Sequence, residues 1–253
     1  MTSIRIYHLY PDHLNLYGDR GNMIALCRRA EWHNINIEVI PVKPGDKINF
    51  SHCDLLFMGG GQDSDQQMVA EDLKYRSDEL SSAVEDGMVI FAVCGSYQLL
   101  GSHYTTGSGE KIKGLELINL YTEAGTGRLI GNAVIICSLW SPARTLAGFE
   151  NHAGKTYLGP ELQPLGHVMI GYGNNGSDKT EGAVYKNVIG TYLHGSLLPK
   201  NPWLTDHLLE KALAYREQDF HPAELDDSLE QQAHDAFIKL AGSKKHKKFS
   251  TRA

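Results

Sequence analysis

Along the first hundred residues, solid apolar runs alternate with stretches whose apolar residues recur every three or four positions. SIRIYHLY (3–10), INIEVIPV (35–42), CDLLFMGGG (53–61) and MVIFAVCG (88–95) read as strands. The third runs into a glycine loop, and the fourth ends at a cysteine and a glycine. GNMIALCRRAEWH (21–33) has helical spacing and follows Asp19, an acidic residue placed to cap it. LSSAVEDG (80–87) ends a helix, with Gly87 as its C-cap. Buried strands alternating with amphipathic helices predict an α/β fold, with a mostly parallel sheet covered by helices on both faces.

Beyond about residue 112 the pattern changes. LIGNAVIICSL (129–139), LGHVMIGYG (165–173) and EGAVYKNVIGTYLHG (181–195) read as strands joined by turns, with Asn175-Gly176 a strong turn signal. These are expected to add antiparallel strands to the same sheet. WLTDHLLEKALAYRE (203–217) is an amphipathic helix with Leu204, Leu208, Ala212 and Tyr215 on one stripe, and another helix spans about 229–240. Without repeats or a long linker, residues 1–242 are expected to form one domain, and 243–253 a basic, frayed tail.

Composition narrows the setting. The chain has 253 residues, 42% hydrophobic and 21% charged, which suits a globular core that needs no disulfides. Cys27, Cys53, Cys94 and Cys137 are widely spaced and form no CxxC pair, so neither a zinc ribbon nor a secreted disulfide scaffold is indicated. No metal site is predicted. A formal charge of −6 argues against nucleic acid as a general partner. No apolar run reaches membrane-spanning length and no signal-peptide pattern opens the chain, so a cytoplasmic setting is expected. The tail SKKHKKFSTRA reads first as a solvated terminus and second as an attraction to an anionic surface.

The candidate chemistry sits where VIFAV turns into CGSYQLLG. In a parallel sheet, ligands lie beyond the carboxyl ends of the strands, and Cys94 falls at such an end with a helix directly behind it. A sharp strand-to-helix turn exposes a nucleophile and needs small neighbours, which Ala92, Gly95 and Ser96 supply. The helix N-terminus favours an anion there by roughly 0.3–1 kcal/mol. The plain alternative is a buried structural cysteine. A cysteine nucleophile needs a base, and His194 ends the strand VIGTYLHG and precedes a glycine, so it belongs at a neighbouring strand end. Gly59-Gly60-Gly61 ends a third strand and can present backbone amides to an oxyanion. The Lys-Ser/Thr ending of a phosphate-binding P-loop is absent.

FMGGGQD, AVCGSYQLLG and TYLHG, in that order, resemble the class I glutamine amidotransferases, and CGxYQ with GGGxD is similar to their cobyric-acid-synthase-like branch. HLYPDHLNLYGDRGN, YTEAGTGRLIGN, GFENHAGKTY and GYGNNGSDKTEGAVYKNVIGTYLHGSLLPKN narrow the resemblance, over roughly residues 4–215, to the amidotransferase subunits of lipid II isoglutaminyl synthases. The resemblance implies a three-layer, flavodoxin-like fold. It implies that Cys94 attacks the side-chain amide of L-glutamine, with His194 as base and acid. Gly60 or Gly61, together with Gly95, would hold the oxyanion. Gln98 would line the pocket, Arg128 would pair with the substrate α-carboxylate, and Asn151 and His152 would shape the site.

Two departures, Ser96 for glycine and Lys155 for arginine, remove no catalytic group. A third matters more: the glutamate that follows the histidine by two residues in ordinary members is Ser196 here. Serine cannot stabilise an imidazolium as a carboxylate does. Either an acid elsewhere in the chain, such as Asp19, reaches His194, or a partner supplies one; the resemblance points to the partner. No ATP site is legible, so activation of the acceptor carboxylate is expected in a Mur-ligase-like, ATP- and Mg-dependent subunit of a heterodimer. That partner would amidate the D-glutamate α-carboxyl of lipid II, which would bring the complex to the inner face of the membrane through its lipid-linked substrate. An amidotransferase for a corrinoid acceptor and a non-catalytic regulatory subunit of the same fold are the alternatives. A DJ-1-like hydrolase would place histidine directly after the cysteine, and a dienelactone-type hydrolase would have no need of Arg128.

Overall fold

A computed structural model of the chain describes residues 2–15 and 19–243, without the side chain of Asp63; the basic tail beyond Ser243 and the middle of HLNLYGD lie outside the described residues. The first half builds a doubly covered sheet from β1 (Ser3–Leu9), β2 (Asn36–Val42), β3 (Leu55–Met58) and β4 (Val89–Val93). β3 and β4 are buried at every position, which is why they read as solid apolar runs rather than alternating ones. α1 (Arg20–Trp32), α2 (Asp63–Leu73) and α3 (Ser77–Glu85) connect them, and α4 (Gly95–Leu99) follows β4. Gly87 takes φ +102 just beyond α3, and its N–H donates back to the Val84 carbonyl, as the C-cap expectation required.

The second half departs from the expectation of a single sheet. β5 (His103–Thr105), β6 (Lys111–Lys113), β7 (Leu120–Cys137), β8 (Arg144–Leu158), β9 (Gly166–Ile170) and β10 (Thr180–Glu181) form a second six-stranded sheet. Only β11 (Ala183–Tyr185) and β12 (Val188–Thr191) join the first, whose order is β11-β12-β4-β3-β1-β2. β12 runs parallel to β4, and β11 is its antiparallel edge strand. The long β7–β8 hairpin pairs along nearly its whole length, so its strands find their partners in each other rather than on the first sheet.

α5 (Pro202–Tyr215) buries Leu204, Leu208 and Ala212, as its predicted stripe required. α6 (Ser228–Ser243) closes the described chain. Among the described residues no helix is long and apolar enough to cross a membrane. One core runs beneath the first sheet and continues under the second through Ala133, Ile135, Cys137 and Leu146.

Candidate active site

Four neighbouring strands of the first sheet, β12, β4, β3 and β1, each deliver one piece of the site beyond their carboxyl ends. They bring His194, Cys94, the glycine loop and Asp19 respectively. Cys94 has φ 53 and ψ −109, a left-handed conformation that a non-glycine residue holds only where its surroundings impose it. This is the strained strand-to-helix elbow that the small neighbours predicted. Ser96, the departure from glycine, donates its hydroxyl to the Gly59 carbonyl at 2.5 Å and so ties α4 to the glycine loop.

His194 is fully buried, and its backbone is pinned to β8 of the second sheet. Its N–H donates to the Phe149 carbonyl at 2.6 Å, and the Phe149 N–H donates back at 3.2 Å. Gly60 marks the point where the functional groups meet. A Cβ there would lie 3.1 Å from His194 Cε1, 3.2 Å from Asp19 Oδ2 and 3.4 Å from Cys94 Cβ. Thiol, imidazole and carboxylate therefore converge on one backbone atom that must carry no side chain.

Asp19 settles differently from its expected helix-capping role. It stands at the N-cap of α1, but its side chain makes no capping hydrogen bond. Oδ2 instead accepts the Gly60 N–H at 2.6 Å, and Oδ1 lies 3.8 Å from His194 Nδ1, both groups being fully buried. The chain thus places an acid of its own beside the histidine, where a partner's acid was expected. The same contact commits the Gly60 amide to Asp19, which leaves Gly61, on the cavity wall, as the glycine-loop candidate for an oxyanion. Burial works against a charged His194 ring, but its interactions with Cys94 and Asp19 outweigh it and raise its pKa to about 10.

In front of Cys94 opens a cavity of about 500 Å³ whose lining includes Gly61, Gln66, Gln98, Arg128, Asn151 and His152. Arg128 donates from Nε to Asn151 Oδ1 at 2.8 Å and from an Nη to the Asn151 carbonyl at 2.9 Å. Asn151 thereby aims the guanidinium, whose remaining donors suit a carboxylate. Gln98 donates to Tyr192 Oη at 3.0 Å, that hydroxyl pairs with Thr156 Oγ1 at 2.6 Å, and Thr156 Oγ1 in turn pairs with Thr122 Oγ1 at 2.8 Å. His152 lies flat on Tyr192, with ring centroids 3.5 Å apart, and pairs through Nδ1 with the Gly154 carbonyl. Burial pushes its pKa down to about 3, so it is a neutral wall of the pocket. Gly95 packs directly behind the elbow, where a Cβ would lie 2.8 Å from Gln66 Nε2 and 2.9 Å from the Gly61 carbonyl. Every site residue picked out in the sequence therefore stands at or directly behind this cavity. Gln66 was missed because nothing in its local sequence marks it; only the packing of α2 on α4 brings it in.

Residues 5–202 match the family described as the CobB/CobQ-like glutamine amidotransferase domain, and the chain belongs to that family. A subunit named GatD, of the glutamine-hydrolysing lipid II isoglutaminyl synthase of Staphylococcus aureus, is 44% identical over 97% of this chain and 99% of its own length. The Streptococcus pneumoniae subunit of the same name is 39% identical over 83% of this chain and 80% of its own. A glutamine amidotransferase from Thermotoga maritima shares the fold at TM-score 0.53 and 16% identity, covering 94% of both chains.

Proposed function

We propose that this chain is the glutamine-hydrolysing subunit of a ligase that amidates lipid II. The observation that carries the chemistry is the convergence of Cys94, His194 and Asp19 on Gly60, beside a cavity lined by Cys94 and the Arg128 guanidinium. The acceptor is inferred from the two subunits named GatD.

In the proposed reaction, Arg128 takes the α-carboxylate of free L-glutamine and the side chain reaches Cys94. The sulfur attacks the amide carbon, and the backbone N–H groups of Gly61 and Gly95 hold the oxyanion. His194 keeps the proton given up by Cys94 and returns it to the departing nitrogen, so the C–N bond breaks and ammonia leaves. Water then hydrolyses the thioester, which frees glutamate and restores the thiol. Asp19 orients the ring and stabilises its charged form, anchored for that purpose by the Gly60 N–H. Ammonia alone does not amidate a carboxylate. An ATP-dependent, Mur-ligase-like partner is therefore the expected consumer, activating the D-glutamate α-carboxyl of the stem peptide.

One observation favours a second reading of the third acid. Ser196 stands where ordinary members carry the glutamate, and a partner carboxylate is the alternative source of that acid on assembly. Release of glutamate from glutamine, measured for the chain alone and with its ligase partner, tests both. Cys94→Ala and His194→Ala should abolish release in either state. Asp19→Asn should lower kcat by about 10²-fold or more with KM little changed, a loss on the scale of wrong-tautomer variants. An Asp19→Asn complex as fast as wild type would assign the acid to the partner, and an active Cys94→Ala would overturn the glutaminase reading.

A further inference from the structure

Gln66 stands in α2, a residue only 3% exposed, on the wall of the cavity that also holds Cys94 and Arg128. Its carboxamide rests against the residue after the nucleophile, since a Cβ on Gly95 would meet its Nε2 at 2.8 Å and its Cδ at 3.0 Å. The other carboxamides at this cavity are engaged within the protein. Gln62 takes part in the capping box of α2, Gln98 donates to Tyr192, and Asn151 accepts from Arg128. Gln66 Oε1 is different: it is buried and accepts no hydrogen bond. A buried acceptor without a donor is destabilising, and native proteins keep few of them. One that lines a binding cavity beside the reacting sulfur is satisfied when a ligand brings an N–H.

We infer that Gln66 Oε1 accepts an N–H of the substrate's reacting carboxamide and thereby selects glutamine over glutamate. The inference rests on the glutaminase reading above. With the α-carboxylate assigned to Arg128, the end of the substrate beside Cys94 and Gly95 is the amide. A carboxamide presents two N–H donors on its nitrogen, whereas a carboxylate presents only acceptors. An acceptor fixed at that place pairs with the first and repels the second. The product glutamate is then held less tightly than the substrate it came from, which favours its release after thioester hydrolysis.

The test uses the full chain carrying Cys94→Ala, so that bound glutamine is not consumed, titrated calorimetrically with L-glutamine and with L-glutamate. This parent should prefer glutamine by about tenfold or more. Gln66→Met, close in size but without a polar group, should weaken glutamine binding about fivefold to tenfold, as loss of one hydrogen bond does, and bring the two affinities together. Gln66→Glu keeps an acceptor and should hold glutamine within about threefold while binding glutamate more weakly than the parent, because each preserved hydrogen bond carries a similar factor. A Gln66→Met chain that binds glutamine as well as the parent, with the same preference, would overturn the inference and leave the glutaminase reading standing. A parent that binds neither amino acid, together with a wild-type chain whose Cys94 is not alkylated by a glutamine-like diazoketone, would overturn both.

Discussion

At the scale of single residues, the site depends on what is absent as much as on what is present. Gly60 has no side chain because imidazole, carboxylate and thiol already surround the place a Cβ would take. Gly60→Ala should therefore push the three groups apart and lower kcat for glutamine hydrolysis by about 10²-fold, the scale on which catalysis responds to an ångström of misplacement. A chain that folds with kcat within about threefold of wild type would show that the site tolerates the wedge. Cys94 and His194 were legible in the sequence because each closes an apolar run and precedes a glycine, which announces a strand end and a tight turn. Asp19 was legible only as a helix cap or a distant candidate acid. Its tertiary contacts to Gly60 and His194 supersede the local capping rule, and nothing in the residues around it records them.

At the scale of elements, the turn after β12 is held from outside the catalytic groups. Gly195 and Ser196 take φ +72 and +49 in succession, and Lys200 donates to both of their carbonyls at 2.9 and 3.1 Å. The Lys200 ammonium lies 5.3 Å from the Phe237 ring of α6, while His234 of the same helix bridges the Lys200 carbonyl and the Thr145 hydroxyl. The last described helix thus supports the histidine turn through one lysine. Lys200→Met should lower kcat about tenfold with KM unchanged, and Lys200→Arg should recover part of the loss, because a positioning contact acts on the transition state rather than on substrate binding. An equal rise in KM and fall in kcat would assign Lys200 to substrate binding instead.

The first sheet was readable because its strands are buried on both faces and appear as solid apolar runs. β8 was not readable. Its inward positions from Glu150 onward are Glu150, His152, Gly154 and Thr156, so the face it buries carries polar and small residues and shows no apolar alternation. Of these, His152 and Gly154 line the pocket, and the element hidden from a hydrophobicity pattern is the one that walls the candidate site.

At the scale of the whole molecule, two sheets meet at the active site, and buried acids stand where they join. Glu181, fully buried, accepts hydrogen bonds from the Thr191 hydroxyl and the Tyr192 N–H, just ahead of His194. Burial raises its pKa to about 7. The folded chain therefore binds a proton that the unfolded chain has released, from about pH 4.5 upward. The stability this confers is full below pH 4.5 and is lost progressively as pH rises through about 7. The buried His8 and His152, with pKa values lowered to about 4 and 3, act in the opposite sense on the acid side. The comparison must therefore be made between variants rather than between pH values alone. The stability of wild type minus that of Glu181→Gln should decline between pH 5 and pH 7.5 by on the order of 3 kcal/mol in chemical denaturation. A difference that stays flat over that range would mean that Glu181 is ionised in the folded chain throughout.

The account as a whole requires that one of four cysteines be a nucleophile fitted to glutamine. Treating the full chain with a glutamine-like diazoketone and mapping the adduct by mass spectrometry tests this most directly. The account predicts a single modification on Cys94, slowed by excess L-glutamine and absent from Cys94→Ala. Labelling spread over Cys27, Cys53 and Cys137, or labelling of Cys94 that glutamine does not slow, would contradict it.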